Sequence, residues 1–248
     1  MKRLAIAAVA VLLVLRVAAA DEAVTAARAL LASWHEDPGR IDRARALLEA
    51  APPGPAVLVE LARTCFLAGD FRATTEADRL AMYERGSQAA RRAIAASPED
   101  DAAHLWFALN TGRYAETRGM MKALGMLPTI REASETVLRL NPSNVDGLLL
   151  AGGILAHLPP LMGGDRARAE TYFKRALELD PHKTGARMEL AQLYLASRRW
   201  NDARQELERV VDEAAPTDRP RWTVREAPRA RALLVQLAAR DRPAPQSP

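Results

Sequence analysis

One spacing limits what this chain can fold into more than any other feature. Ala169, Phe173 and Ala176 in AETYFKRALELDP recur as Ala203, Leu207 and Val210 in ARQELERVV, each 34 residues further on. Residues at i, i+4 and i+7 lie on one face of a helix. A 34-residue period fits a helix–turn–helix unit, which cannot bury its apolar face alone and must stack on a neighbour. Leu190, Ala191 and Tyr194 stand on the helix between the two copies. Small residues at the crossings let helix axes approach closely.

Weaker copies lie upstream. IAASPED, LRLNPSN and LELDPHK each end a helix in Ser, Asn or Asp followed by Pro98, Pro142 and Pro181. Proline ends one helix and is tolerated in the first turn of the next. LARTCFLAGDF at 61–71 has the look of a first repeat helix closed by a Gly-Asp turn, and Asp37-Pro38 reads as a cap and first turn for a helix over 38–50. Hydrophobic residues make up 49% of the chain but aromatics only 5%, so the excess is helix-forming alanine and leucine. These signals predict an all-α fold of tetratricopeptide-like helical hairpins in a solenoid, with eleven or twelve helices in one repeat domain over 21–240. RWTVREAPRA supplies an irregular final helix that covers the last apolar face, and the proline-rich tail 241–248 is expected to be disordered.

The first twenty residues read as a secretory signal peptide. Lys2 and Arg3 precede an apolar run, Leu4 to Leu15, that is short for a bilayer span, and Ala18-Ala19-Ala20 suits cleavage before Asp21. Arg16 falls late in that pattern, and the alternative is an uncleaved inner-membrane anchor. Removal of residues 1–20 takes away three basic residues, leaving 35 − 3 = 32 against 31 acidic ones. The mature charge is therefore near balance and gives no reason to expect nucleic-acid binding. The lone Cys65 sits in an apolar helix and reads as a core thiol; no cysteine follows the leader to take a lipid.

Catalytic and metal motifs are missing from the sequence. His35, His104, His157 and His182 show no ligand spacing, and no HExxH, CxxC, GxSxG or phosphate-cradling loop occurs. The expectation is a non-enzyme without metal or cofactor. Two segments stand out instead. In AAHLWFALNTGRYAE, Trp106, Asn110 and Tyr114 follow one another at intervals of four on one helix face. They line a ligand groove, or they fill core space with Asn110 bonded to a neighbouring carbonyl. In LAHLPPLMGGD, two prolines and the pair Gly163-Gly164 break a helix, yet Leu158, Leu161 and Met162 are apolar. That turn either folds back to seal its own repeat or presents an apolar lip to a ligand or partner. Asp165 caps the helix that follows.

In order, HLWFALNTGRYAE, IREASETVLRLNP and LLLAGGILAHLPPLMGGDRARAETYFKRALELDP resemble the TatT family, the T component associated with some tripartite ATP-independent periplasmic (TRAP) transporters. The likeness covers about residues 55–215. It implies a periplasmic, non-catalytic repeat protein that partners a solute-binding protein, holds a small apolar ligand and can assemble as an oligomer. Family members are often lipoproteins, and this chain has no cysteine to carry the lipid. The alternative is a scaffold for other envelope proteins.

Overall fold

The computed structural model describes residues 2–240, with side chains from residue 16 onward. The expected tail at 241–248 lies outside the described residues, as do the side chains of most of the leader. The chain divides into two compact units, Met1–Pro142 and Ser143–Pro248, within the stretch expected to form one repeat domain. Both are helical, as the composition and periodicity predict.

The first unit comprises α1 (Lys2–Leu31), α2 (Gly39–Ala50), α3 (Pro55–Phe71), α4 (Glu76–Ala96), α5 (Asp101–Thr117) and α6 (Met120–Leu140). Consecutive helices pair, and α3 also touches α1 and α5. From residue 16 onward, Val17 is exposed and the first buried residue of α1 is Val24, followed by Ala27 and Leu31. Among the described residues, no helix is long and apolar enough to cross a membrane.

The second unit comprises α7 (Val145–His157), a 3-10 turn (Pro160–Met162), α8 (Arg166–Leu179), α9 (Thr184–Ala196), α10 (Trp200–Val211), the short α11 (Arg219–Arg221), a π turn (Trp222–Glu226) and α12 (Ala227–Arg240). The repeat residues behave as the spacing requires. Ala169, Phe173 and Ala176 of α8, and Ala203, Leu207 and Val210 of α10, are fully buried. Leu190, Ala191 and Tyr194 of α9 lie in the two clusters that join these helices. The irregular final segment covers the last face as expected. Ala230 and Leu237 close over Met188, Leu207 and Val210, and the Trp222 indole donates to the Val210 carbonyl at 2.7 Å. The π turn stands just before Pro228, which has no N–H for an ordinary helical bond.

Three expectations need correction. Pro98, Pro142 and Pro181 sit in four-residue turns between helices, not in the first turn of the next helix. There the following helix starts from a side-chain cap where one is available: Asp100 accepts from the Ala103 N–H and Asn144 from the Gly147 N–H. The helix expected at 38–50 begins at Gly39, with the Asp37 carboxylate accepting from the Gly39 N–H. Gly69-Asp70 is not a turn but lies within α3, where the Tyr83 ring occupies the space a Gly69 side chain would need.

The pair Gly152-Gly153 in α7 divides by role. A Cβ on Gly152 would stand 2.5 Å from the Phe173 ring, whereas one on Gly153 would meet nothing within 4 Å. Gly152→Ala should therefore destabilise the protein by about 1–3 kcal/mol through overpacking. Gly153→Ala should stabilise it by up to about 1 kcal/mol through helix propensity. Urea denaturation of the two variants tests this opposition of sign.

Glu226 gives a second test. It is buried, and its carboxyl is pushed above the ordinary value of 4.5 by that burial, against the opposing pull of the Thr184 hydroxyl and Arg221. The Thr184 hydroxyl donates to it at 2.6 Å. The folded state thus holds this proton more tightly than the unfolded chain, so stability falls as pH rises upward from about 4.5. Glu226→Gln should remove that fall. Melting curves of the two proteins at pH 4.5 and 7.5 should show the variant gaining on the parent at the higher pH.

Candidate functional site

The two segments singled out in the sequence lie in different units. In the first unit, Asn110 of α5 is completely buried. Its amide donates to the Ala62 carbonyl of α3 at 3.0 Å and to the Trp106 carbonyl of its own helix at 2.8 Å. The amide fits because Gly86 of α4 has no side chain; a Cβ there would stand 2.2 Å from the Asn110 oxygen. Asn110 is thus a wedge among three helices, with the backbone-bonded geometry of the core alternative. Trp106 and Tyr114 are half-buried. The Trp106 ring packs at 5.6 Å from Phe66, tilted by 58°. Phe107 is covered by the Arg91 guanidinium at 5.1 Å.

Around this wedge lies a polar cluster the sequence reading did not single out. The Tyr83 hydroxyl donates to Asp70 at 2.8 Å, and Arg113 reaches the other Asp70 oxygen at 3.4 Å. Arg113 also binds Glu116 at 3.1 Å and lies over Phe66. Burial, reinforced by the Asp70 charge, pushes the Tyr83 hydroxyl well above the usual phenol range. Tyr83 therefore remains a hydrogen-bond donor at neutral pH. Burial likewise pushes the Cys65 thiol up to about 12, as suits a core thiol. These groups are engaged with one another, and their arrangement is that of a cross-helix brace.

In the second unit the turn after α7 splits in two. Leu158 is half-buried. Leu161 is 102% exposed and Met162 37%, at the tip of the 3-10 turn. Leu161 therefore does not seal the core. The backbone holds this tip firmly. The Met162, Gly163 and Gly164 N–H groups donate to Pro159, Pro160 and Pro159, and the Asp165 N–H reaches back to Leu155. Gly163 takes the left-handed conformation at φ 85°. A Cβ on Gly164 would meet the Leu158 carbonyl at 1.8 Å. Asp165 caps α8 by accepting from the Arg168 N–H, as expected.

A second exposed apolar stretch was missed. Met120 and Met121 are 77% and 83% exposed at the start of α6, with Leu124 beside them. The core stripe of α6 is Ile130, Ala133, Ser134 and Val137. Projected back at helical spacing it passes Ala123, Met126 and Leu127, and Met121 and Leu124 fall off it. That offset was the available signal. Among the described residues no group of His, Cys, Asp or Glu is placed to hold a metal ion.

The sequence family described as Regulator of microtubule dynamics protein 1-3 matches residues 27–153, just over half of the chain. A tetratricopeptide repeat family matches residues 161–223. Among solved structures, the chain is similar to TTC0263, a thermophilic TPR protein of Thermus thermophilus. The identity is 22% and the TM-score 0.63, over 86% of this chain and 100% of that one. It is also similar to pilF of Pseudomonas aeruginosa, at 17% identity and a TM-score of 0.53, over 94% and 95% of the two chains. At these identities the likeness concerns the fold alone. A DnaJ homolog subfamily C member 7 homolog of Schizosaccharomyces pombe is 40% identical over 57 residues, so that the chain spans 11% of that relative's length.

The geometry assigns opposite roles to the two sequence candidates. Asn110→Ala should lower stability by about 1–3 kcal/mol, since it removes two buried side-chain hydrogen bonds and leaves their space unfilled. Leu161→Ser should change it by less than about 0.5 kcal/mol. Thermal melts of the two variants, run side by side, check the division.

Proposed function

The chain belongs to the family described as Regulator of microtubule dynamics protein 1-3, with tetratricopeptide repeats in its second half, and we propose that it is an exported, non-catalytic docking protein. In this reading it is a periplasmic accessory of a TRAP-type transport system, and it receives a solute-binding protein. The observation that carries the proposal is the fully exposed Leu161 on a rigid, hydrogen-bonded turn. A leucine held out in solvent by a turn pinned through its backbone N–H groups, with Met162 beside it, has the character of a contact residue. The exposed Met120 and Met121 add a second apolar surface of the same kind. The leader pattern and the ordered likeness to TatT proteins support the compartment and the partner class.

The family match supports a second reading. Its name refers to microtubule dynamics, which would place the partner in the cytosol. The two readings part at the leader: an exported chain does not meet tubulin. The near-balanced mature charge also offers no strong attraction to an acidic polymer surface.

Cross-linking of the tagged chain in its own cells, followed by mass spectrometry, tests the proposal. A solute-binding protein should dominate the partners of the parent, and the Leu161→Ser/Met162→Ser variant should lose it while keeping the parent's melting temperature. Recovery of unrelated envelope proteins would move the assignment to a general scaffold. Co-sedimentation with assembled tubulin would favour the second reading.

A further inference from the structure

A cavity of about 340 Å³ lies within the first unit, where α2 meets α3 and α4. This is the lower end of the size range for small-molecule pockets, roughly 300–1,000 Å³. Its floor is apolar, made by Leu48, Val57, Leu58, Leu61 and Ala89. One stripe of α4 supplies the opposite wall, since Arg85, Gln88, Ala89 and Arg92 follow at i, i+3, i+4 and i+7. Gln88 and Arg92 line its edge, with Arg92 exposed. The α2–α3 connection contributes Ala51 and Pro53, and its two adjacent prolines stiffen that side.

The charges at the rim are not equivalent. Glu49 accepts from Arg45 at 3.1 Å and from Arg85 at 3.0 Å, so its carboxylate is already shared by two guanidinium groups. Among the described residues, Arg92 has no acidic partner. The pocket thus joins an apolar floor to a free cation and an amide donor at its edge. We propose that this pocket binds a small amphipathic anion, with a short alkyl chain on the Leu48–Val57–Leu61 floor and its head group on Arg92 and Gln88. A carboxylate and a phosphate share this chemistry, because a guanidinium pairs with either through two N–H groups. The site is separate from the docking turn and does not rest on the transport reading.

Isothermal titration of the full mature chain with hexanoate, hexyl phosphate and neutral hexanol tests it. One of the two anions should bind saturably and hexanol should not, and whichever anion binds more tightly identifies the head group. Arg92→Glu should weaken that binding by roughly tenfold or more, the worth of one charge-assisted hydrogen bond. Gln88→Trp, at the rim, should block the pocket without changing the melting temperature. Absence of saturable binding by both anions would overturn the proposal, as would hexanol binding as tightly as they do or affinity surviving in both variants.

Discussion

The architecture depends on places where one helix lacks a side chain so that another helix can press against its backbone. Gly152 admits the Phe173 ring, Gly69 admits Tyr83 and Gly86 admits Asn110. In each case a single methyl group would stand within 2.5 Å of the incoming side chain. Close packing of this kind leaves no room for compromise, because protein interiors are nearly as dense as molecular crystals. It explains how a chain with few aromatics still builds a defined core: each large residue is placed against a position emptied for it.

The same constraint governs the polar groups of the first unit. Asn110, Tyr83 and Asp70 lie among closely packed helices, with Arg113 partly exposed beside them. Their donors find partners within the protein: the Asn110 amide N–H reaches the Ala62 carbonyl, and Asp70 takes both the Tyr83 hydroxyl and Arg113. Buried polar groups left without partners are costly, so such a brace fixes one arrangement of α3, α4 and α5 over its alternatives. Among the described residues that stay open to solvent are the Leu161 turn, the start of α6 and the rim of the α2–α4 pocket.

Much of the fold was legible in the sequence, and the reasons are local. The 34-residue spacing identified the buried residues of α8 and α10, since a repeat imposes the same burial on every copy. Asp165 announced itself as a cap, because capping needs only the first turn of its own helix. The errors were of another kind. Gly69-Asp70 carries the composition of a turn but is helical, and the Tyr83 ring from a later helix accounts for the glycine there. The three X-Pro sites were placed one turn late, because proline suits both a helix start and the loop before it.

The sequence by itself determined the helical class, the period and the capped, glycine-held turn after α7, since each follows from interactions within a few residues or from a repeated spacing. Only the tertiary structure decided where the ambiguous residues sit. Trp106, Asn110 and Tyr114 share a helix face in either reading, and what settled Asn110 was a carbonyl 48 residues away. Leu158 and Leu161 are the same residue type three positions apart, and one is half-buried while the other is wholly exposed. Burial belongs to the neighbours that packing brings together, and no residue carries that information in its own identity.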